Sequence, residues 1–211
     1  GIDAVGTLVD PVRRSAYRMV AGAAEPIGRD DVADQLGIGR TLAAFHLDKL
    51  VAAGLLEVSY ARRNGRTGPG AGRPAKLYRT APGGFEVSVP PRAYAEAAEV
   101  FVETIDRLGA DEALFSTARR RGVEVGVRLG TPDVVAALGA QGYEPVAEGA
   151  TIRLRNCPFH TVARQYPPLV CGMNLALLEG MVEGAGWVRW RATIDPASDG
   201  CCVTLSKTKN D

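Results

Sequence analysis

An α+β fold is what the sequence predicts, and three observations predict it. Apolar residues recur at three- and four-residue steps through the first fifty positions and again over 94–108, as on buried helix faces. Each helical block is followed by short runs of alternating side chains joined across glycine-containing turns, as in antiparallel hairpins. Charge is divided as well: residues 1–92 hold 13 Lys+Arg against 9 Asp+Glu, a balance of +4, and the remainder holds 12 against 15, a balance of −3. The expected division is an N-terminal domain over 1–90, linking helices over 91–130 and a C-terminal antiparallel sheet with helices on one face over 131–211.

The first helix is expected to open at Asp10-Pro11, an acceptor side chain followed by a residue whose fixed φ suits the first turn. Val12, Ala16, Met19 and Val20 form its inner face. A second helix carries Val32, Ala33 and Leu36 inward and stops at Gly37; a third buries Ala43, Leu47, Leu50 and Val51 and stops at Gly54. The link 37–39 leaves room for a sharp turn alone, so the two helices cross steeply. Leu55 to Ala61 and Ala75 to Thr80 read as strands around a tip containing Arg62, Arg63, Arg66 and Arg73. Between Leu55 and Thr80 six basic residues face one Glu, a surface suited to a polyanion.

With the apolar face turned inward, Arg40, Thr41, Ala44, Phe45, Asp48 and Lys49 lie on the other side of the third helix. Arg40 suits guanine or a phosphate, Thr41 a base edge or a backbone oxygen, and Phe45 a thymine methyl or the preceding helix, with Lys49 a further DNA-binding candidate. His46 falls at the border of the packed face and reads as structural or phosphate-facing rather than as a metal ligand. The run GRTLAAFHLDKLVAAGLL, with Gly72-Arg73-Pro74 and Tyr78 after it, resembles the recognition helix and wing of ArsR-like winged-helix transcription regulators. The resemblance covers about a quarter of the chain. It implies a winged helix-turn-helix, with the third helix in the major groove and the arginine-bearing tip in the minor groove of a double-stranded DNA operator.

After Pro90-Pro91, residues Tyr94, Ala97, Ala98, Phe101, Val102, Ile105 and Leu108 predict an amphipathic helix ending near Gly109, a candidate seam for a homodimer that reads a palindrome. Glu112 to Val127 reads as a further helix. Thr131-Pro132-Asp133 opens a short one, with Thr131 as cap. A hairpin follows over Tyr143–Ala147 and Thr151–Asn156, then helices over Pro158–Gln165 and Leu169–Gly184, then strands over Trp187–Ile194 and Cys201–Ser206.

All four cysteines fall in this last third: Cys157, Cys171, Cys201 and Cys202, with His160 three residues beyond the first. Cys157 is expected at a helix N-terminus, where the dipole favours thiolate. On a regular strand Cys201 and Cys202 face opposite ways, so one of them at most joins the others unless a bulge intervenes. Cys157-Pro158, the stretch Pro167 to Cys171 and the stretch Asp199 to Cys202 resemble the C-terminal region of SufR-like iron-sulfur repressors. The resemblance implies a cluster, such as 4Fe-4S, held by cysteines. Thirteen residues intervene between the first two here, one more than in that pattern, and the last position is doubled. Aligning on Asp199-Gly200 favours Cys202 as third ligand and alternation favours Cys201; His160 or the other cysteine fills a fourth position. Zinc accepts the same donors. Without metal, the thiols serve oxidation sensing or packing, and an organic effector occupies a pocket. A thiol-dependent enzyme built on Cys157 and His160 lacks a third orienting group.

No apolar run reaches the length of a membrane span, and the first residues lack a signal peptide's basic and apolar regions, so a cytoplasmic protein with reduced thiols and no membrane partner is expected. The expected function is a DNA-binding regulator with a cysteine-based sensor and no enzymatic activity.

Overall fold

The computed structural model describes residues 1–23, 25–62, 74–82, 87–88, 90, 92–196 and 200–208. The chain is α+β with antiparallel sheets and divides into two compact units, Gly1–Arg92 and Ala93–Asp211. No described helix is long and apolar enough to cross a membrane.

The first unit runs α1 (Ile2–Thr7), α2 (Pro11–Gly22), β1 (Ile27–Gly28), α3 (Arg29–Leu36), α4 (Arg40–Ala52), β2 (Leu56–Ala61) and β3 (Ala75–Thr80). Asp10 caps α2 as expected, its Oδ1 accepting from the Arg13 backbone N–H at 2.8 Å, which holds the carboxyl below the usual carboxylate range. At the start of α3 the Asp31 carboxylate accepts from the Gly28 N–H at 2.7 Å. Gly37, at φ 63°, ends α3 in the left-handed region. Two elements go beyond the sequence reading. α1 precedes the expected first helix and buries Ala4, and β1 adds a third strand, pairing Ile27 with Tyr78 and Gly28 with Leu77 in the order β1-β3-β2. Ala16, Val20, Val32, Ala43, Leu47 and Leu50 fill the core between α2, α3, α4 and this sheet.

The second unit runs α5 (Tyr94–Leu108), α6 (Asp111–Leu129), α7 (Val134–Ala140), β4 (Pro145–Glu148), β5 (Thr151–Leu154), α8 (His160–Ala163), α9 (Pro167–Gly184), β6 (Trp190–Ile194) and β7 (Val203–Lys207). The helices of the linking segment therefore belong to the same body as the sheet, whose order is β4-β5-β7-β6. Ile152, Leu154, Ala192, Val203 and Leu205 pack with Leu138 of α7 and Leu178 and Met181 of α9.

Glycines bring α6 and α9 into backbone contact. A Cβ on Gly122 would stand 2.1 Å from the Leu177 carbonyl oxygen, and one on Gly180 would stand 2.1 Å from that of Arg119. Gly126 and Gly184 repeat the close approach one turn along.

Several boundaries differ from expectation. Asp133, rather than Thr131, caps α7, accepting from the Ala136 N–H at 3.0 Å; the Thr131 hydroxyl accepts from the Asp133 N–H instead. The helix expected over Pro158–Gln165 shrinks to α8, because Tyr166 precedes Pro167 and is driven out of helical geometry, to φ −128° and ψ 59°. Trp187 lies before β6 rather than within it. It is buried in the core and donates its indole N–H to the Thr131 carbonyl at 2.8 Å.

Candidate functional site

Two surfaces collect the candidate residues, one in each unit. In the first, α4 buries Ala43, His46, Leu47 and Leu50 and turns Arg40, Thr41, Phe45, Asp48 and Lys49 outward, with Ala44 half-buried. Arg40 grips Asp30 of α3 through two contacts, Nη2 to Oδ2 at 2.7 Å and Nε to Oδ1 at 2.6 Å. Lys49 lies over the Phe45 ring at 5.7 Å, a cation–π contact that keeps the aromatic on the outer face. Asp48 reaches across to β3, accepting from Lys76 Nζ at 2.6 Å and from the Tyr78 hydroxyl at 3.0 Å. This carboxylate raises the Lys76 ammonium above its ordinary value, whereas burial is the larger cause of the upward shift at Tyr78.

Arg62 is exposed at the end of β2, while Arg63, Arg66 and Arg73 lie outside the described residues. His46 is 5 % exposed, and its Nδ1 has no hydrogen-bond partner. That burial agrees with a structural histidine.

In the second unit the cysteines of three separate segments meet. Cys157 follows β5, Cys171 stands in the second turn of α9, and Cys201 and Cys202 precede β7. Cys157 neighbours Cys201 and Cys202 neighbours Cys171, each thiol shifting the other's, so the sulfurs share one region as two pairs. Both members of the doubled cysteine join it, against the alternation argument. The reason is local: β7 starts at Val203, and Cys201-Cys202 lies in a bend entered through Gly200 at φ 130°. A side chain on Gly200 would stand 2.6 Å from the Arg155 carbonyl oxygen, and the Cys201 N–H donates to the Leu154 carbonyl at 2.9 Å.

Two residues that the sequence reading did not single out complete the site. Asn174 of α9, fully buried, donates from Nδ2 to the Cys201 sulfur at 3.2 Å and accepts the buried Tyr143 hydroxyl on Oδ1 at 2.6 Å. The Tyr143 bond fixes which end of the amide faces the sulfur. Asn174 is the one polar side chain between Pro167 and Glu179, and that isolation is the signal that could have found it.

These donors decide where negative charge settles. The neighbouring Cys157 thiol, the Val203 backbone N–H and the Asn174 amide bring the Cys201 thiol down to about 7 against burial. Cys157 moves the other way, through the neighbouring Cys201 and then burial. The expected helix N-terminus at Cys157 is corrected: α8 is a single turn that begins at His160, three residues later. Burial and then Cys171 push Cys202 up to about 12. Burial pushes the Tyr143 hydroxyl up as well. His160 is exposed, and no hydrogen bond ties its ring to a sulfur among the described residues.

A pH dependence follows for the metal-free second unit. Between about 7 and the ordinary thiol value of 9.0, folded Cys201 has released a proton that the unfolded chain still holds. Its contribution to stability is present in full above 9.0 and lost as pH falls through 7. Cys157, Cys202 and Tyr143 act oppositely, keeping protons that the unfolded chain gives up at high pH. The urea midpoint of this unit should rise from about pH 7 to about pH 9 and fall beyond it. A midpoint flat across that range would contradict the assignment.

Thiols are the ligand type that iron-sulfur clusters and structural zinc require, and four of them from three segments give a sufficient donor set. They stand as linked pairs: among the described residues no group of three or more His, Cys, Asp or Glu side chains is arranged to hold a metal ion. The donor set thus fits such a group in kind and number. No protein-family profile, curated protein or solved structure matches the chain.

Proposed function

We propose that the chain is a cytoplasmic, sequence-specific DNA-binding regulator of the winged-helix kind, acting as a homodimer, and that its second unit senses through its cysteines. The observation that carries the DNA-binding half is the outer face of α4, which presents Arg40, Thr41, Phe45 and Lys49 beside the β2-β3 hairpin. The order α2, β1, α3, α4, β2, β3, with β3 between its neighbours, supports the winged-helix reading. In this reading α4 enters the major groove, Arg40 and Lys49 meet phosphates or guanine, and Thr41 and Phe45 meet base edges.

Dimerisation is supported by α5. It buries none of its residues fully, and Tyr94, Phe101 and Leu108 remain 68 %, 66 % and 75 % exposed at coiled-coil spacing. Half-buried Ala98, Val102 and Ile105 adjoin them on the same apolar face.

Cys157, Cys171, Cys201 and Cys202 would hold an iron-sulfur cluster, which when bound supplies redox sensitivity. Asn174 donates to one of those sulfurs, a hydrogen bond of the kind that sets a cluster's potential. A second reading, sensing by thiol oxidation without metal, is favoured by the pairwise contacts of the sulfurs.

The test of the first half selects a bound fragment from random duplex DNA and then compares wild type with Arg40→Ala/Lys49→Ala. The variant should bind at least tenfold more weakly at moderate salt, and its log–log salt slope should fall by about 1 for each phosphate contact removed. An unchanged slope and affinity would overturn the assignment of α4. The test of the second half measures iron and acid-labile sulfide in protein isolated without oxygen. Wild type without either, and unable to take them up, rules out the cluster.

A further inference from the structure

The four sulfurs are unlike in their surroundings. Cys201 is fully buried and Cys157 nearly so, and Cys201 is held from a third side by Asn174. Their backbones are fastened as well, Cys201 through its N–H to Leu154 and Cys157 through its carbonyl to the His160 N–H at 3.0 Å. Cys171 and Cys202 are half-buried. Cys171 stands near the start of α9, one residue before Gly172, and Cys202 lies in the bend before β7. Cys171 lies three residues before Asn174 on the same side of α9, and Asn174 touches Cys201 at 3.2 Å, which brings Cys171 to the bend that holds Cys202.

We infer that Cys171 and Cys202 form a reversible disulfide when the protein meets a hydroperoxide, while Cys157 and Cys201 stay reduced. The inference rests on the proposed sensor site and names how that site is regulated. Access decides the pair, since the oxidant must reach the first sulfur and the second must swing to meet it. Two half-buried thiols reach disulfide geometry with less disturbance of the core than two residues pinned into it.

The chemistry balances with the peroxide alone. The Cys171 sulfur attacks one peroxide oxygen, the O–O bond breaks, and the departing hydroxide leaves as water with the thiol's proton. A sulfenic acid remains on Cys171. The Cys202 sulfur then forms the S–S bond and displaces the hydroxyl, which takes the Cys202 proton and leaves as a second water. The two thiols together lose two electrons, and the peroxide gains them. A disulfide here would remove two of the four thiols available to a cluster.

The experiment treats full-length, metal-free, reduced protein with hydrogen peroxide, alkylates the remaining thiols and maps peptides by mass spectrometry without reduction. The expected result is a peptide pair joined through Cys171 and Cys202, two of the four thiols lost, and their recovery with dithiothreitol. Cys171→Ser and Cys202→Ser should each abolish that link. A link that includes Cys157 or Cys201, or no link under conditions that oxidise the thiols, overturns the inference.

Uptake of iron and sulfide, tried on reduced and oxidised protein, separates this inference from the reading beneath it. Uptake by reduced protein with no Cys171–Cys202 link leaves the cluster and removes the disulfide. The link without uptake by either form leaves the disulfide and removes the cluster.

Discussion

Gly180→Ala should destabilise the second unit by about 3 kcal/mol, the upper end of the usual cost of overpacking. The new methyl carbon would stand 2.1 Å from the Arg119 carbonyl oxygen and 2.9 Å from the Val123 nitrogen. Both obstacles are backbone, so no side chain can rotate away. Relief requires α6 and α9 to separate along the line where Gly122, Gly126 and Gly184 are equally close. A shared helix axis transmits that shift to Asn174 and Cys171, which lie on α9 upstream of Gly180. Urea unfolding followed by the fluorescence of Trp187 and Trp190, both in this unit, reads the change. Gly139→Ala is the matched control, because nothing lies within 4 Å of its position. Equal midpoints for the two variants would refute the packing account.

Asn174→Leu should cost a similar amount, about 3 kcal/mol, by a different route. Removing the amide strands the buried Tyr143 hydroxyl and deprives Cys201 of a donor, and an orphaned buried polar group costs about 1–3 kcal/mol. The diagnostic is the double variant. Tyr143→Phe/Asn174→Leu deletes both ends of the hydrogen bond and should recover part of the loss, since replacing both partners by apolar groups is much less costly than stranding one. In the single variant the Cys201 thiol should also ionise above its value of about 7, read by thiolate absorbance during a pH titration. A double variant no more stable than the single one would show that Asn174 acts by shape alone.

Legibility in the sequence followed the strength of each local signal. The helices of the first unit announced themselves through apolar spacing, the Asp10-Pro11 start and the stop at Gly37, all of which act within one turn. α1 and β1 carried no such signal: one has six residues and the other two, too few for a period to repeat. The glycines of α6 weakened its helical pattern when considered alone. Their reason lies far along the chain, where α9 repeats the spacing with Gly180 and Gly184.

The cysteines could be gathered from their clustering, and the structure sets them as neighbouring pairs, Cys157 with Cys201 and Cys171 with Cys202. Which way Cys201 and Cys202 face could not be read from alternation, because that argument presumes a strand and the pair lies in a bend. Asn174 required the tertiary fold, since its partners come from two other segments.

The anchoring of Asp48 to Lys76 and Tyr78 bears on how a duplex would be met. A helix and a hairpin tied by one carboxylate keep a fixed phase, so their spacing is set before any encounter. Under the proposed reading, ordering those side chains is a cost borne during folding and not again at the operator. A half-site whose two grooves are out of step by a base pair would then be rejected by rigidity, with no unfavourable base contact needed.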